Sequence, residues 1–220
     1  MYSNTCILYH CYTMIKNSLY QKTIFIKIIK LYLNMNKLLV IEGTDNSGKD
    51  LLISKFLKDF KNVEVRHFDR PLSQTNGGAR LEQNAKFYGF CQDFNEDLSD
   101  RILICNRAWY GEYVYGTLYR ERTKKDVIDM INYCEDILSK TNTDVTFIML
   151  YAEPELLEKN DDGQSLSEGK IETIKKESNL FREVFDKSNI KKKLLIEVTK
   201  DGEFIDEFDI YKQAKNLFMK

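Results

Sequence analysis

The sequence predicts an α/β fold: a five-stranded parallel sheet with helices on both faces. Three observations carry this. Five short, nearly unbroken apolar runs recur along the chain, helical patterns separate them, and a glycine-rich turn joins the first run to the first helix. A strand buried on both faces reads as a continuous apolar run, and strands alternating with helices build βαβ units and a parallel sheet.

The elements follow in order. "KLLVIE" (37–42) is the first run, and "LLISKFLKDF" then places Leu51, Leu52, Phe56 and Phe60 on one helical stripe. "VEVRHF" (63–68) reads as a second strand and "RLEQNAKFYGFCQDFNEDL" (80–98) as a long helix. "RILICN" (101–106), "DVTFIMLYA" (144–152) and "KKLLIEV" (192–198) complete the five runs. Helical segments are expected at about 110–140 and 170–187, with a last one at 204–218. In such sheets ligands bind beyond the carboxyl ends of the strands. Those ends are Gly43–Lys49, His67–Arg70, Asn106–Arg107, Glu153 onward and Thr199–Asp201.

The chain of 220 residues suffices for one core. Hydrophobic residues at 43% and charged residues at 30% describe a soluble globular chain, not a disordered one. A net charge of −1 supplies no global field for nucleic acid or membrane, so neither is expected as a stable partner. Five cysteines without a CxxC pair, and two histidines, exclude a zinc site or disulfide framework and suit a reducing compartment. A metal here would be Mg²⁺, held by oxygens and by substrate phosphates. The expected location is the cytoplasm, or the host cytoplasm should the chain be viral.

Residues 1–34 stand apart: they lack Asp and Glu, carry four lysines, and interrupt every apolar run before it could span a bilayer. An acid-free basic leader fits a targeting peptide or an interfacial helix. The reading preferred is an extension without catalytic purpose, the domain proper being 35–220.

Gly43-Thr44-Asp45-Asn46-Ser47-Gly48-Lys49 fits GxxxxGK between a strand and a helix, the context that a phosphate-binding loop demands. This places the chain in the P-loop NTPase fold class. The loop's glycines allow successive N–H groups to converge on phosphate, and the helix N-terminus adds its positive dipole end. Lys49 would reach the β- and γ-phosphates of ATP. The expected donor site is Gly43, Thr44, Asn46, Ser47, Gly48, Lys49, Asp50 and Leu51. Asp50 stands where Ser or Thr usually contacts Mg²⁺. A carboxylate also ligates Mg²⁺, but unscreened it repels the phosphates.

"IEGTDNSGK" resembles the phosphate loop of thymidylate kinases, and "ILICNRAWYGEYVYGTLYR" (102–120) resembles their strand ending in Asp-Arg-aromatic. The second stretch is closer still to virus- and phage-type thymidylate kinase-like and deoxynucleoside kinase proteins. "EKNDDGQSLS" (158–167) is similar to their lid entrance, within a lid region of about 153–170. The resemblance implies roles residue by residue. Asp45 touches the acceptor's sugar or lies near its phosphate. Arg107 clamps the acceptor or the transferring group, and Arg70 holds the acceptor phosphate. Tyr88 and Gln92, at i and i+4, fall where the family stacks and reads a base, although Phe87, Tyr88, Phe90 and Phe94 also read as core. Glu112 is expected near the acceptor, or as a helix-start carboxylate. The resemblance also implies a possible homodimer.

Three residues depart from the family: Asp50 for Ser or Thr, Asn106 for the Asp of Asp-Arg, and Asn160 for the lid Arg. The first two are expected to compensate, with Asp50 and Asn106 together at the metal. For the third, Lys159, Arg120 and Arg182 are candidate substitutes. Asn106 takes up no proton, which favours an already ionised monophosphate over a nucleoside hydroxyl as acceptor. Glu42 and Asp45 remain as alternative bases. The sequence thus reads as an ATP- and Mg²⁺-dependent deoxynucleoside monophosphate kinase. The alternatives are a deoxynucleoside kinase and a nucleotide-binding relative with impaired catalysis.

Overall fold

The computed structural model describes residues 36–73, 75–93, 101–161, 163 and 165–220. The extension 1–34, Phe94 and the end of the 80–98 helix lie outside the described residues.

Five strands form one sheet: β1 (Asn36–Gly43), β2 (Val63–His67), β3 (Ile102–Asn106), β4 (Thr143–Tyr151) and β5 (Lys193–Glu197). Their order is β2-β3-β1-β4-β5. Every neighbouring pair is parallel, with Val40 beside Cys105 on one flank and Phe147 on the other. Period-2 alternation splits the central strand between two cores. Leu38 and Val40 face one side, with Phe87, Val127, Cys134 and Phe181, while Leu39 and Ile41 face the other, with Phe56, Tyr211 and Phe218.

The first core is covered by α2 (Asn76–Asp93), α4 (Lys124–Ser139) and α6 (Ile171–Lys187). The second is covered by α1 (Lys49–Asp59) and α7 (Glu207–Phe218), with Ile174 of α6 also contributing. Helices therefore lie on both faces, as the apolar runs predicted.

Three local features differ from the expected elements. The helix expected over 110–140 is broken: Glu112–Gly116 is a π-helical turn running into α3 (Thr117–Tyr119), and α4 starts afresh at Lys124. Thr123 caps that restart by accepting the Asp126 N–H at 3.1 Å. The final helix begins later than 204, because Thr199–Lys200 (β6) and Glu203–Phe204 (β7) form a hairpin and Asp206 then caps α7. The lid region contains α5 (Pro154–Lys159), entered through a proline in its first turn.

Candidate active site

The carboxyl ends of β1, β2 and β3 open into two cavities. One, of about 450 Å³, is lined by the phosphate loop: Asp45, Asn46, Gly48, Lys49, Asp50 and Leu51, with Asn160 and Phe204 opposite. The other, of about 340 Å³, is lined by His67, Asp69, Arg70, Gln83, Phe87, Glu112, Tyr115 and Arg120 among others. Asp45, Asp50, Asn106 and Arg107 line both, so these four side chains form the junction.

The loop is drawn tight. Gly43 has φ +149°, and a Cβ there would lie 2.5 Å from the Leu150 carbonyl oxygen on neighbouring β4. Only glycine lets the loop start so close to the sheet. Ser47 Oγ donates to the Thr44 carbonyl at 2.9 Å. Lys49 folds back, donating to the carbonyls of Gly43 and Thr44. Burial, and then the Arg107 charge, lowers its pKa to about 7. Asn46 Nδ2 donates to the Asn160 carbonyl at 3.3 Å, tying the loop to the lid region.

Arg107 is the strained residue of the junction, with φ +66°. Its N–H donates to the Ile41 carbonyl at 2.9 Å, and its guanidinium donates to Asp45 and, at 2.8 Å, to the Tyr115 hydroxyl. The segment carrying it is held by Glu42, fully buried at 0% exposure. Glu42 Oε1 accepts N–H groups from Ala108 at 2.6 Å and Gly111 at 3.1 Å. Its Oε2 is buried without a partner, and burial raises its pKa to about 7 against the opposing pull of Arg107.

Asp50 and Asn106 meet. The Asn106 amide donates to Asp50 Oδ1 at 2.6 Å and contacts His67 Nδ1 at 3.2 Å. Asn106 Oδ1 is left buried without a hydrogen-bond partner. A carboxylate beside an unsatisfied amide oxygen is an oxygen donor set suited to a hard divalent cation. These residues fit Mg²⁺, which when bound would screen the phosphates from Asp50.

The two residues expected at a base do not line the cavity of about 340 Å³. Tyr88 turns away from the cavity and packs edge-on against Tyr133 of α4, with ring centres 4.8 Å apart, while Gln92 is exposed. Gln83 and Phe87, the same polar–aromatic pairing at i and i+4, face the cavity instead. One residue along a helix turns a side chain by about 100°, so a neighbour of Phe87 addresses a different surface. Gln83, 3% exposed, donates to the Asp69 carbonyl at 3.1 Å, and its Oε1 is buried without a partner. Phe87 packs against Phe68 at 5.3 Å.

Of the remaining candidates, Thr44 and Ser47 sit buried within the loop, Arg70 lines the cavity of about 340 Å³ and Leu51 the one beside the loop. Glu112 pairs with Arg120 and Arg122. Lys159 is exposed at the end of α5 and lines neither cavity. His67 opens the strand-end stretch His67–Arg70 expected at the ligand, whereas Gln83 and Tyr115 were not singled out from sequence, and only their position on the cavity face of a helix marks them.

The chain has the fold of the P-loop kinases. The YorR protein of Bacillus subtilis, solved in complex with phosphorylated GDP, superposes with a TM-score of 0.61 at 17% identity, covering 83% of this chain and 95% of that one. Thymidylate kinase from Candida albicans gives 0.61 at 17%, covering 84% and 92%. Polyphosphate kinase 2 from Arthrobacter aurescens TC1 gives 0.59 at 14%, covering 84% and 67%. No protein-family model and no curated protein matches the sequence.

Proposed function

We propose that this chain transfers the γ-phosphoryl group of ATP to a deoxynucleoside monophosphate, with Mg²⁺. The observation that carries the reading is the junction: a phosphate loop on one side and a pocket lined by arginines and aromatics on the other, meeting at Asp45, Asp50, Asn106 and Arg107.

In the transfer, the P–O bond between the γ-phosphorus and the β–γ bridging oxygen breaks. A P–O bond to the acceptor's phosphate oxygen forms, and the donor leaves as the diphosphate. The attacking oxygen is already ionised, so no side chain has to take a proton. Lys49 and the loop amides hold the donor's phosphates. Asp50 and Asn106 would hold the metal, which when bound neutralises charge on the phosphate chain. Arg107, braced by Asp45 and Tyr115, meets the transferring group at the junction. Gln83 presents an unsatisfied acceptor to a base N–H, beside the apolar wall of Phe68 and Phe87. Excluding water from this pocket strengthens each of these interactions.

A second reading has one observation in its favour: the Asp50 carboxylate lines both cavities, where a base for a nucleoside hydroxyl would stand. ADP production from ATP and Mg²⁺ by the full chain, with each deoxynucleoside and each 5′-monophosphate offered in turn, separates the readings. Turnover with monophosphates is expected. Turnover with nucleosides alone would make it a nucleoside kinase. ATP binding without any turnover would mean that the site has lost catalysis.

A further inference from the structure

The lid carries Asn160 where its relatives' pattern has arginine, and three cations are available to replace it: Lys159, Arg182 and Arg120. The structure separates them. Lys159 is exposed and lines neither cavity. Arg182 pairs with Glu197 at 2.9 Å and lies 3.7 Å over the Tyr151 ring, also outside both. Arg120 lines the acceptor-side cavity.

Its ion-pair partner is shared, although Asp45, Asp50 and Asp69 line the same cavity. Arg120 Nη2 donates to Glu112 Oε1 at 2.6 Å, and Arg122 Nη1 donates to Glu112 Oε2 at 3.2 Å. One carboxylate thus serves two guanidiniums, and the cluster keeps one excess positive charge. Arg122 is the inner partner, its side chain 3% exposed, and Arg120 the outer, at 14%. The Nε atoms of both are buried without hydrogen-bond partners. A desolvated excess cation is costly unless an anion meets it.

The cluster is built into the backbone. The Arg120 and Arg122 N–H groups both donate to the Gly116 carbonyl, at 3.1 and 3.0 Å. A Cβ at Gly116 would fall 2.9 Å from Glu112 Oε2 and 3.0 Å from Arg122 Cδ, so the close pairing requires glycine there. Glu112 and Tyr115, three residues apart within the π-helical turn Glu112–Gly116, both line this cavity.

We propose that Arg120 binds the phosphate of the acceptor, so that the cation missing from the lid is supplied by the segment after β3. The inference rests on the kinase reading. Glu112 fixes the orientation of Arg120, and Arg122 neutralises Glu112, leaving the charge of Arg120 for the ligand. As the γ-phosphorus bonds to the acceptor oxygen and parts from the β–γ bridge, Arg120 faces the anion that receives it.

The test is calorimetric titration of the full chain, Arg120→Gln and Arg120→Lys with the four deoxynucleoside 5′-monophosphates and the matching nucleosides, alongside turnover with ATP. Arg120→Gln is expected to weaken monophosphate binding about tenfold or more and to leave nucleoside binding unchanged. Arg120→Lys keeps the charge and the Glu112 pairing, and should recover part of the affinity. Should Arg120→Gln fail to fold, Arg120→Lys decides, because loss of the guanidinium fork still lowers monophosphate affinity selectively. Equal loss for nucleoside and monophosphate, or none for either, overturns the proposal while turnover leaves the kinase reading standing. Arg120-dependent binding of monophosphate without turnover supports the proposal and sinks the kinase reading. No monophosphate binding by the wild-type chain ends both.

Discussion

Glu42→Gln tests whether the buried carboxylate beneath the Arg107 segment titrates near neutrality. The substitution keeps the shape and an oxygen for the Ala108 and Gly111 N–H groups, and removes the charge. The Glu42 pKa is raised from 4.5 to about 7 in the folded chain by burial. A raised carboxyl favours folding most below its unfolded value and loses that contribution as pH climbs towards its folded value. From about pH 5 to about pH 8, wild type should therefore lose about 2 to 3 kcal/mol that Glu42→Gln does not. Lys49, its pKa lowered to about 7, interacts with Glu42, so the difference reads Glu42 together with its effect on Lys49. Urea denaturation of the two proteins across that range, analysed by linear extrapolation, reads the effect directly. The variant should gain on wild type as pH rises. A stability gap that is the same at both ends of the range would refute a carboxyl shifted by burial.

Other expectations are sharper on activity. Lys49→Met should lower turnover by about a hundredfold or more while the fold persists, read by kcat and by a thermal melt, because on the proposed reading the loop loses the cation that would hold the donor's phosphates. Asn106→Asp places a second carboxylate where the amide now sits 2.6 Å from Asp50, so the single variant should lose about tenfold in kcat through like-charge repulsion. Adding Asp50→Ser should restore it, and a double variant no better than either single one would remove the compensation between these two positions. Gln83→Leu should raise the acceptor KM about tenfold, whereas exposed Gln92→Ala should leave it unchanged; the opposite ranking would return base reading to the outer face of α2.

Much of this site was legible locally. A strand that is buried on both faces announces itself as an apolar run, and all five runs became strands within a residue or two. The phosphate loop was legible because its chemistry lies in seven consecutive residues, Gly43 to Lys49. Asp50 and Asn106 were expected together at a metal from the resemblance, and in the structure they share a hydrogen bond because Asn106 ends β3, β3 pairs with β1, and Asp50 opens the helix after the β1 loop.

Helix faces were less legible. α2 offers a polar–aromatic pair at i and i+4 twice, as Gln83/Phe87 and as Tyr88/Gln92, and both have helical spacing. Which pair meets the ligand depends on the helix's rotation about its axis. Phe87 sets that rotation by packing on Phe68, and Tyr88 by packing on Tyr133. The π-helical turn at Glu112–Gly116 was equally hidden, since a π turn has no distinctive spacing in the sequence.

The sequence by itself determined the layered sheet, the phosphate loop and the residues at the strand ends, because each follows from short-range periodicity or contiguous backbone chemistry. The tertiary structure alone decided that Gln83 instead of Gln92 faces the pocket, that Glu42 is sealed beneath Arg107, and that Arg120 instead of Lys159 or Arg182 lines the acceptor cavity. Those outcomes depend on packing between residues far apart in the chain, and on which charges that packing removes from water.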